Sequence, residues 1–78
     1  MTQFNRITFD PNIMGGRACI RGMRLTVSLI LNLVSNGMTA AEIVKEYPYL
    51  EEEDVRQSLQ YAAWLAEETV QVLEMAAA

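Results

Sequence analysis

The fold is decided by residues 26–66, which read TVSLILNLVSNGMTAAEIVKEYPYLEEEDVRQSLQYAAWLA. Two breaks divide this stretch into three predicted helices. At Asn36-Gly37 the glycine supplies the left-handed conformation that ends a helix, and Thr39 with Glu42 three residues later has the spacing of a capping box. At Tyr47-Pro48 the proline removes a backbone donor and pushes the preceding residue out of helical space. The predicted helices run from Val27 to Asn36, from Ala40 to Glu46, and from near Glu51 to about Met75.

The first third of the chain has an extended pattern. Ile7 and Phe9 alternate with polar residues, as in a half-buried strand. Residues 18–20 and 25–27 are short β-favouring runs joined by residues 21–24, which predicts a tight hairpin or a hook. This β element either lies against the helices or forms an arm that packs on a second subunit, because an isolated hairpin is only marginally stable in water.

Together these elements predict a mainly α-helical domain with a small N-terminal β element, in which three helices follow a helix-turn-helix plan. We expect one domain over residues 1–78. It divides into a β arm or hairpin (5–27), a helix-turn-helix core (27–66) and an extension of the last helix with a fraying end (67–78).

Dimerisation is expected from the size and composition of the chain. A chain of 78 residues buries only about 60% of its unfolded surface, and its apolar content of 51% exceeds what one small core can hide. The third helix carries a stripe at Val55, Leu59, Ala62, Ala66, Val70 and Leu73 and is longer than the domain requires. Its second half is therefore predicted to bind a partner, through Trp64, Leu65, Val70, Val72 and Leu73.

Charge divides the chain into two unlike parts. Residues 1–37 hold four arginines and one aspartate, a balance of +3, whereas residues 38–78 hold two basic and nine acidic side chains, a balance of −7. The first part suits phosphates and the second repels them. Ordinary variation of surface charge is the alternative explanation.

Catalytic chemistry is poorly represented. The chain has no histidine, and Cys19 is its single cysteine, within an apolar run typical of a buried thiol. The acids at 51–54 occupy consecutive helical positions that point in different directions, so they predict a solvated helix start and no metal site. We therefore expect a non-enzymatic protein without cofactor, metal or small-molecule substrate.

The expected location is the cytoplasm. The sequence shows neither a charged-then-apolar leader nor an apolar run near 18 residues, so secretion and membrane insertion are not indicated.

Two sets of side chains are candidates for DNA binding. On the third helix, the side opposite Val55 and Leu59 presents possible readers of base edges, although these are also typical of a solvated helix face. On the β element, three arginines are candidates for phosphate contacts, with salt bridges to the acidic half or to a second subunit as the alternative. The set on the third helix is Arg56, Gln57 and Gln60, and the set on the β element is Arg17, Arg21 and Arg24.

Several ordered motifs closely resemble the domain-of-unknown-function 433 family over about residues 5–66. They are RITFDPNIMGGR at 6–17, IRGMRL at 20–25, GMT at 37–39 and EYPYL at 46–50, with Asp54-Val55 and Tyr61-Ala62 following. The family typically has Lys-Pro after Gly-Gly and Gly-Thr-Arg-Ile-Pro-Val at the hairpin. Here Arg17-Ala18 and GMRLTV at 22–27 stand in their place, which loosens the hairpin.

The resemblance implies a small helix-turn-helix, winged-helix-like domain that is usually encoded beside a PIN-like nuclease and acts as a VapB-type antitoxin. It implies no catalytic residues. The first hypothesis is thus a homodimeric antitoxin that binds a PIN-like nuclease toxin and its own operator DNA. The alternatives are a stand-alone DNA-binding regulator that uses the third helix, and a structural dimerisation module without nucleic acid.

Overall fold

The computed structural model describes residues 4–77, and within the last helix it describes side chains as far as residue 67. Two short strands precede three helices, so the domain is mainly helical with a small β element, as predicted. The elements are β1 (Ile7–Thr8), β2 (Cys19–Ile20), α1 (Val27–Ser35), α2 (Ala40–Glu46) and α3 (Glu52–Ala77), with a 3-10 turn at Met14–Gly16 between the strands.

Local capping sets the starts of α1 and α2. The Thr26 hydroxyl accepts a hydrogen bond from the Leu29 N–H at 3.1 Å, which satisfies one of the free donors at the start of α1. At the start of α2, Thr39 and Glu42 exchange hydrogen bonds of 2.8 and 3.1 Å in a capping box. The predicted bounds of both helices are confirmed to within one residue.

The β element lies against the helices of its own chain. β1 and β2 are antiparallel, with Ile7 opposite Ile20 and Thr8 opposite Cys19. The predicted hairpin is also present, because Cys19 bridges to Thr26 and the Val27 N–H donates to the Ala18 carbonyl at 2.9 Å.

The turn of this hairpin is tight. Arg21 and Gly22 have φ values of +45° and +72°, and the Met23 N–H donates to the Ile20 carbonyl at 2.8 Å. Positive φ at both central residues is the type I′ geometry that suits hairpins. A left-handed conformation is uncommon for a residue with a Cβ atom, so Arg21 is held there by contacts outside the turn.

The hydrophobic core lies where the β element, α1 and α2 meet α3. Its fully buried apolar members come from every one of these elements. They are Ile7, Ile20, Leu25, Val27, Ile30, Ile43, Leu50 and Val55.

The prediction that Leu59 belongs to the inward-facing apolar stripe of α3 was wrong. Leu59 is 41% exposed, whereas Asp54 and Ser58 are fully buried and Tyr61 is partly buried. The inward face therefore includes Val55 as predicted but is turned toward Asp54 and Ser58, and Asp54 finds partners on the β element. Ala62 is partly buried and Ala66 is exposed, and the side chains of Val70 and Leu73 lie outside the described part of α3.

Within residues 4–77, no helix has both the length and the apolar character that crossing a membrane requires.

Candidate functional site

A buried carboxylate joins the β element to the start of α3. The Asp54 side chain has no exposed surface and pairs with two arginines from the β element. Arg6 Nη1 lies 3.0 Å from Oδ1, and Arg21 donates from Nε to Oδ1 at 3.1 Å and from Nη2 to Oδ2 at 2.8 Å. The Glu51 N–H also donates to Oδ2 at 2.8 Å. We call Asp54 with Arg6 and Arg21 the Asp54 centre.

The hydrogen bonds of this centre keep Asp54 ionised. Burial alone would raise the pKa of Asp54, but the bonds donated by Arg21, by the Glu51 backbone and by Arg6 outweigh burial, so the pKa lies below its ordinary value. A buried charge of this kind is stable only while its partners remain in place. The Asp54 centre therefore fixes the position of the β element on α3.

The expectation that Arg21 contacts phosphate is revised. Its guanidinium binds Asp54 with two nitrogens and also donates to the Tyr49 carbonyl at 2.8 Å. These contacts explain why an arginine occupies a left-handed position in the hairpin turn. Arg21 instead forms a salt bridge to the acidic half of the chain, which was one of the alternatives that the sequence left open.

The placement of Gln57 on an outward face was also wrong. Its side chain is only 7% exposed, its Oε1 accepts from the Arg6 N–H at 3.1 Å, and its Nε2 donates to Asn5 Oδ1 at 2.7 Å. Gln57 thus fastens the start of the β element to α3, and its amide is not available to a base edge.

The other two candidates on α3, Arg56 and Gln60, are both exposed, but Arg56 is held in an ion pair. Arg56 lies on the surface, where Nε donates to Glu53 Oε1 at 2.8 Å and Nη2 pairs with Glu53 Oε2. Gln60 is exposed. A helix that begins with several acids and holds its arginine in an internal pair offers little positive potential to a phosphate backbone.

Arg17 and Arg24 remain as exposed cations of the β element. Neither has an ion-pair partner among the described residues. Arg17 follows the 3-10 turn, and Arg24 follows the hairpin turn, so they lie on either side of β2 along the chain.

A shallow groove lies between α2 and α3, and both elements carry acidic residues. Exposed glutamates lie on α2 and at the start of α3, namely Glu42, Glu46, Glu51 and Glu52, and Glu51 pairs with Arg6 at 2.5 Å. The groove has a volume of about 400 Å³ and is mainly apolar. Ala40, Val55 and Leu59 form its apolar lining, and Glu52, Glu53 and Arg56 contribute its charged edge. The exposure of Leu59, unexpected from the sequence, is what gives this groove an apolar wall.

Four aromatic side chains cluster beside the middle of α3. Tyr61 stacks on Trp64 with ring centres 6.2 Å apart, and Phe4 meets Tyr61 edge to face at 5.4 Å. Phe9 also contacts Tyr61, at 6.1 Å, yet remains 59% exposed. Trp64 is one of the predicted partner contacts, but the contribution of the two phenylalanines was missed, because they lie more than fifty residues from Tyr61 and Trp64 in the sequence.

The remaining predicted partner contacts are only partly described. Leu65 is 42% exposed. The side chains of Val70, Val72 and Leu73 lie outside the described residues. Among the described residues, no group of three or more histidine, cysteine, aspartate or glutamate side chains has an arrangement that could hold a metal ion.

Comparison with known proteins places this arrangement in a family. The model of the family described as "protein of unknown function (DUF433)" matches residues 7–62, which include the β element, α1, α2 and the first part of α3. The fold is similar to the crystal structure of a DUF433 member from Anabaena variabilis, with a TM-score of 0.73 and 27% identity over 90% of this chain and 69% of that one. The comparison with curated proteins gives no match. The chain belongs to the DUF433 family.

Proposed function

We propose that this chain is a non-catalytic, antitoxin-like protein that binds a PIN-like nuclease through the acidic surface of α2 and α3. As a homodimer, it also contacts its own operator DNA through the exposed arginines of the β element. The observation that carries the proposal is the uneven distribution of exposed charges that have no ion-pair partner among the described residues. Arg17 and Arg24 lie on the β element, whereas α2 and the start of α3 carry three such glutamates and one lysine, namely Glu42, Glu46, Glu52 and Lys45.

The acidic surface supports a protein partner with a basic surface. A nuclease that handles RNA needs positive charge in its substrate groove, and glutamates held on helices complement such a groove. Binding at the α2–α3 groove would also remove its apolar lining from contact with water, which favours association. Binding there would compete with RNA for the same positive charges.

The β element supports a phosphate contact through a different set of side chains. Arg17 and Arg24 are exposed and uncommitted within the described residues, whereas Arg6 and Arg21 are used by Asp54. Because the Asp54 centre fixes the element to α3, the two exposed arginines are carried on a rigid support. Rigid placement lowers the entropy cost when a side chain binds a phosphate.

Nuclease binding is tested by co-expression with the product of the neighbouring gene, which the resemblance implies is a PIN-like nuclease. Glu42→Gln, Glu46→Gln and Glu52→Gln, combined in one variant, remove three exposed charges and leave the Asp54 centre intact. We expect affinity about tenfold weaker, equivalent to about 1.4 kcal/mol, by isothermal titration calorimetry. The matched control is Arg17→Ala with Arg24→Ala, which should bind the nuclease as the wild type does. Absence of nuclease binding by the wild type, or unchanged affinity of the triple variant, contradicts the proposed surface.

DNA binding is tested by fluorescence anisotropy with the DNA upstream of its own gene, at low and at physiological salt. Arg17→Ala with Arg24→Ala should weaken binding and lower the dependence of log affinity on log salt by about one for each phosphate that the variant no longer binds. The triple glutamine variant is the control and should bind DNA at least as well as the wild type. Arg21→Ala is unsuitable, since it removes a partner of Asp54. Binding that does not change with salt would contradict a phosphate contact.

A further inference from the structure

The central part of the chain carries no charge. All sixteen acidic and basic side chains lie outside residues 25–41, a run of seventeen residues that contains the whole of α1. Solvent-facing helices usually carry charged residues on their outer side. The other two helices follow this rule, and α1 does not.

The outer side of α1 is nevertheless at the surface of the chain. Ser28, Asn32, Ser35 and Asn36 are exposed, while Leu29 and Leu31 on the two flanks of that face are only partly buried. Depletion of charged residues is typical of the central part of a protein interface.

Three side-chain donors on this face already have partners within the helix. Asn32 Nδ2 donates to the Ser28 carbonyl at 3.0 Å, Ser35 Oγ to the Asn32 carbonyl at 2.9 Å, and Asn36 Nδ2 to the same carbonyl at 2.8 Å. Burying a hydrogen-bonded group is much less unfavourable than burying an unsatisfied one. The removal of water from these three donors therefore costs less free energy than the removal of water from unbonded ones.

We propose that the outer face of α1, formed by Ser28, Leu29, Leu31, Asn32 and Ser35, is the surface through which two copies of this chain pair. The inference rests on the proposed function and deepens it by assigning the interface of its homodimer. A basic nuclease groove and a phosphate backbone both select a partner of opposite charge, and α1 offers neither sign.

A second copy presents the same uncharged face and satisfies this requirement by symmetry. Each chain carries a net charge of −4, so two copies repel wherever acids meet. Pairing through α1 brings together the part of the chain that lacks acids, and a two-fold axis makes one patch complementary to itself. The glutamates of α2 and α3 and the arginines of the β element then remain available to other partners.

The test is the molar mass by size-exclusion chromatography with light scattering at micromolar concentration. We expect the wild type at twice the chain mass of 8.8 kDa. Asn32→Glu and Asn32→Lys each place a charge on the α1 face and should both give the mass of one chain. Gln60→Glu and Gln60→Lys place the same charges on an exposed position of α3 and should leave the dimer intact. Disruption of the dimer by either sign of charge places Asn32 in the interface, because in a two-fold dimer each substitution both buries a charge and sets two like charges against each other.

Circular dichroism establishes that each variant is folded, and Ser35→Lys repeats the test on the same face if an Asn32 variant is not. A wild type with the mass of one chain overturns the proposal, as does a dimer that tolerates charges at both positions. A dimer disrupted by α1 charges that binds no nuclease upholds this interface while contradicting the proposed function.

Discussion

At the scale of single residues, the attachment of the β element depends on Asp54. Asp54→Ala leaves Arg6 and Arg21 without their shared buried partner, and losing hydrogen bonds to a charged group is destabilising by about 1.5–3 kcal/mol. The free energy of unfolding in urea measures this destabilisation. Glu67→Ala removes an exposed acid from the same helix and should change stability by about 0.5 kcal/mol or less. Equal effects of the two substitutions would show that the Asp54 centre contributes nothing specific.

The same carboxylate predicts how stability depends on pH. Because the pKa of Asp54 is lower in the folded chain than in the unfolded one, its contribution is fully present above the unfolded value of about 3.9. That contribution is lost as the pH falls through the folded pKa. The stability difference between the wild type and Asp54→Asn, measured in urea from pH 7 to pH 2, should therefore shrink only below about pH 4. A difference that already shrinks between pH 7 and pH 5 would contradict a lowered pKa.

The role of Asp54 could not be predicted from the sequence, for a physical reason. It is one of four consecutive acids, and each of them suits the start of a helix equally well. Its partners Arg6 and Arg21 are 48 and 33 residues away, so only the folded arrangement selects this carboxylate. Gln57 was misplaced for the same reason, since its partners lie at the start of the chain.

At the scale of elements, local signals were sufficient to predict the helices. Gly37, Pro48 and the Thr39 capping box determine where α1 ends and α2 begins and ends, and these signals act within a few residues. The last helix begins at Glu52 and extends to Ala77, two residues beyond the expected Met75. Which side of that helix faces inward depends on contacts with the β element, and periodicity alone therefore placed Leu59 in the core.

The Thr39 capping box yields a prediction at this scale. Thr39→Ala removes the hydroxyl that accepts from the Glu42 N–H and should lower stability by about 1 kcal/mol. For a domain of this size that corresponds to a fall in Tm of about 4–8 °C. Thr39→Ser keeps the acceptor and should remain close to the wild type in the same thermal scan. Similar melting of the alanine and serine variants would show that this cap does not limit the stability of α2.

At the scale of the whole molecule, the charged surfaces are smaller than the division of the sequence into a basic and an acidic part indicated. The two halves differ as predicted, but Arg6 and Arg21 are paired with Asp54, and Arg6 also with Glu51, which leaves Arg17 and Arg24 as the exposed unpaired cations of the β element among the described residues. Acids on α2 and α3, cations on the β element and an uncharged α1 then form three surfaces of different chemistry. We expect three kinds of contact from them: with a basic protein, with phosphates and with a second copy.

The central claim is that the acidic surface opposes a nuclease, and RNA cleavage measures this directly. The product of the neighbouring gene, which is a PIN-like nuclease under the proposed function, is assayed on RNA while the purified wild-type protein is titrated in. Cleavage should fall to background near equimolar protein, and the variant with Glu42→Gln, Glu46→Gln and Glu52→Gln should require more protein for the same inhibition. Undiminished cleavage at a large excess of folded wild-type protein would contradict the claim.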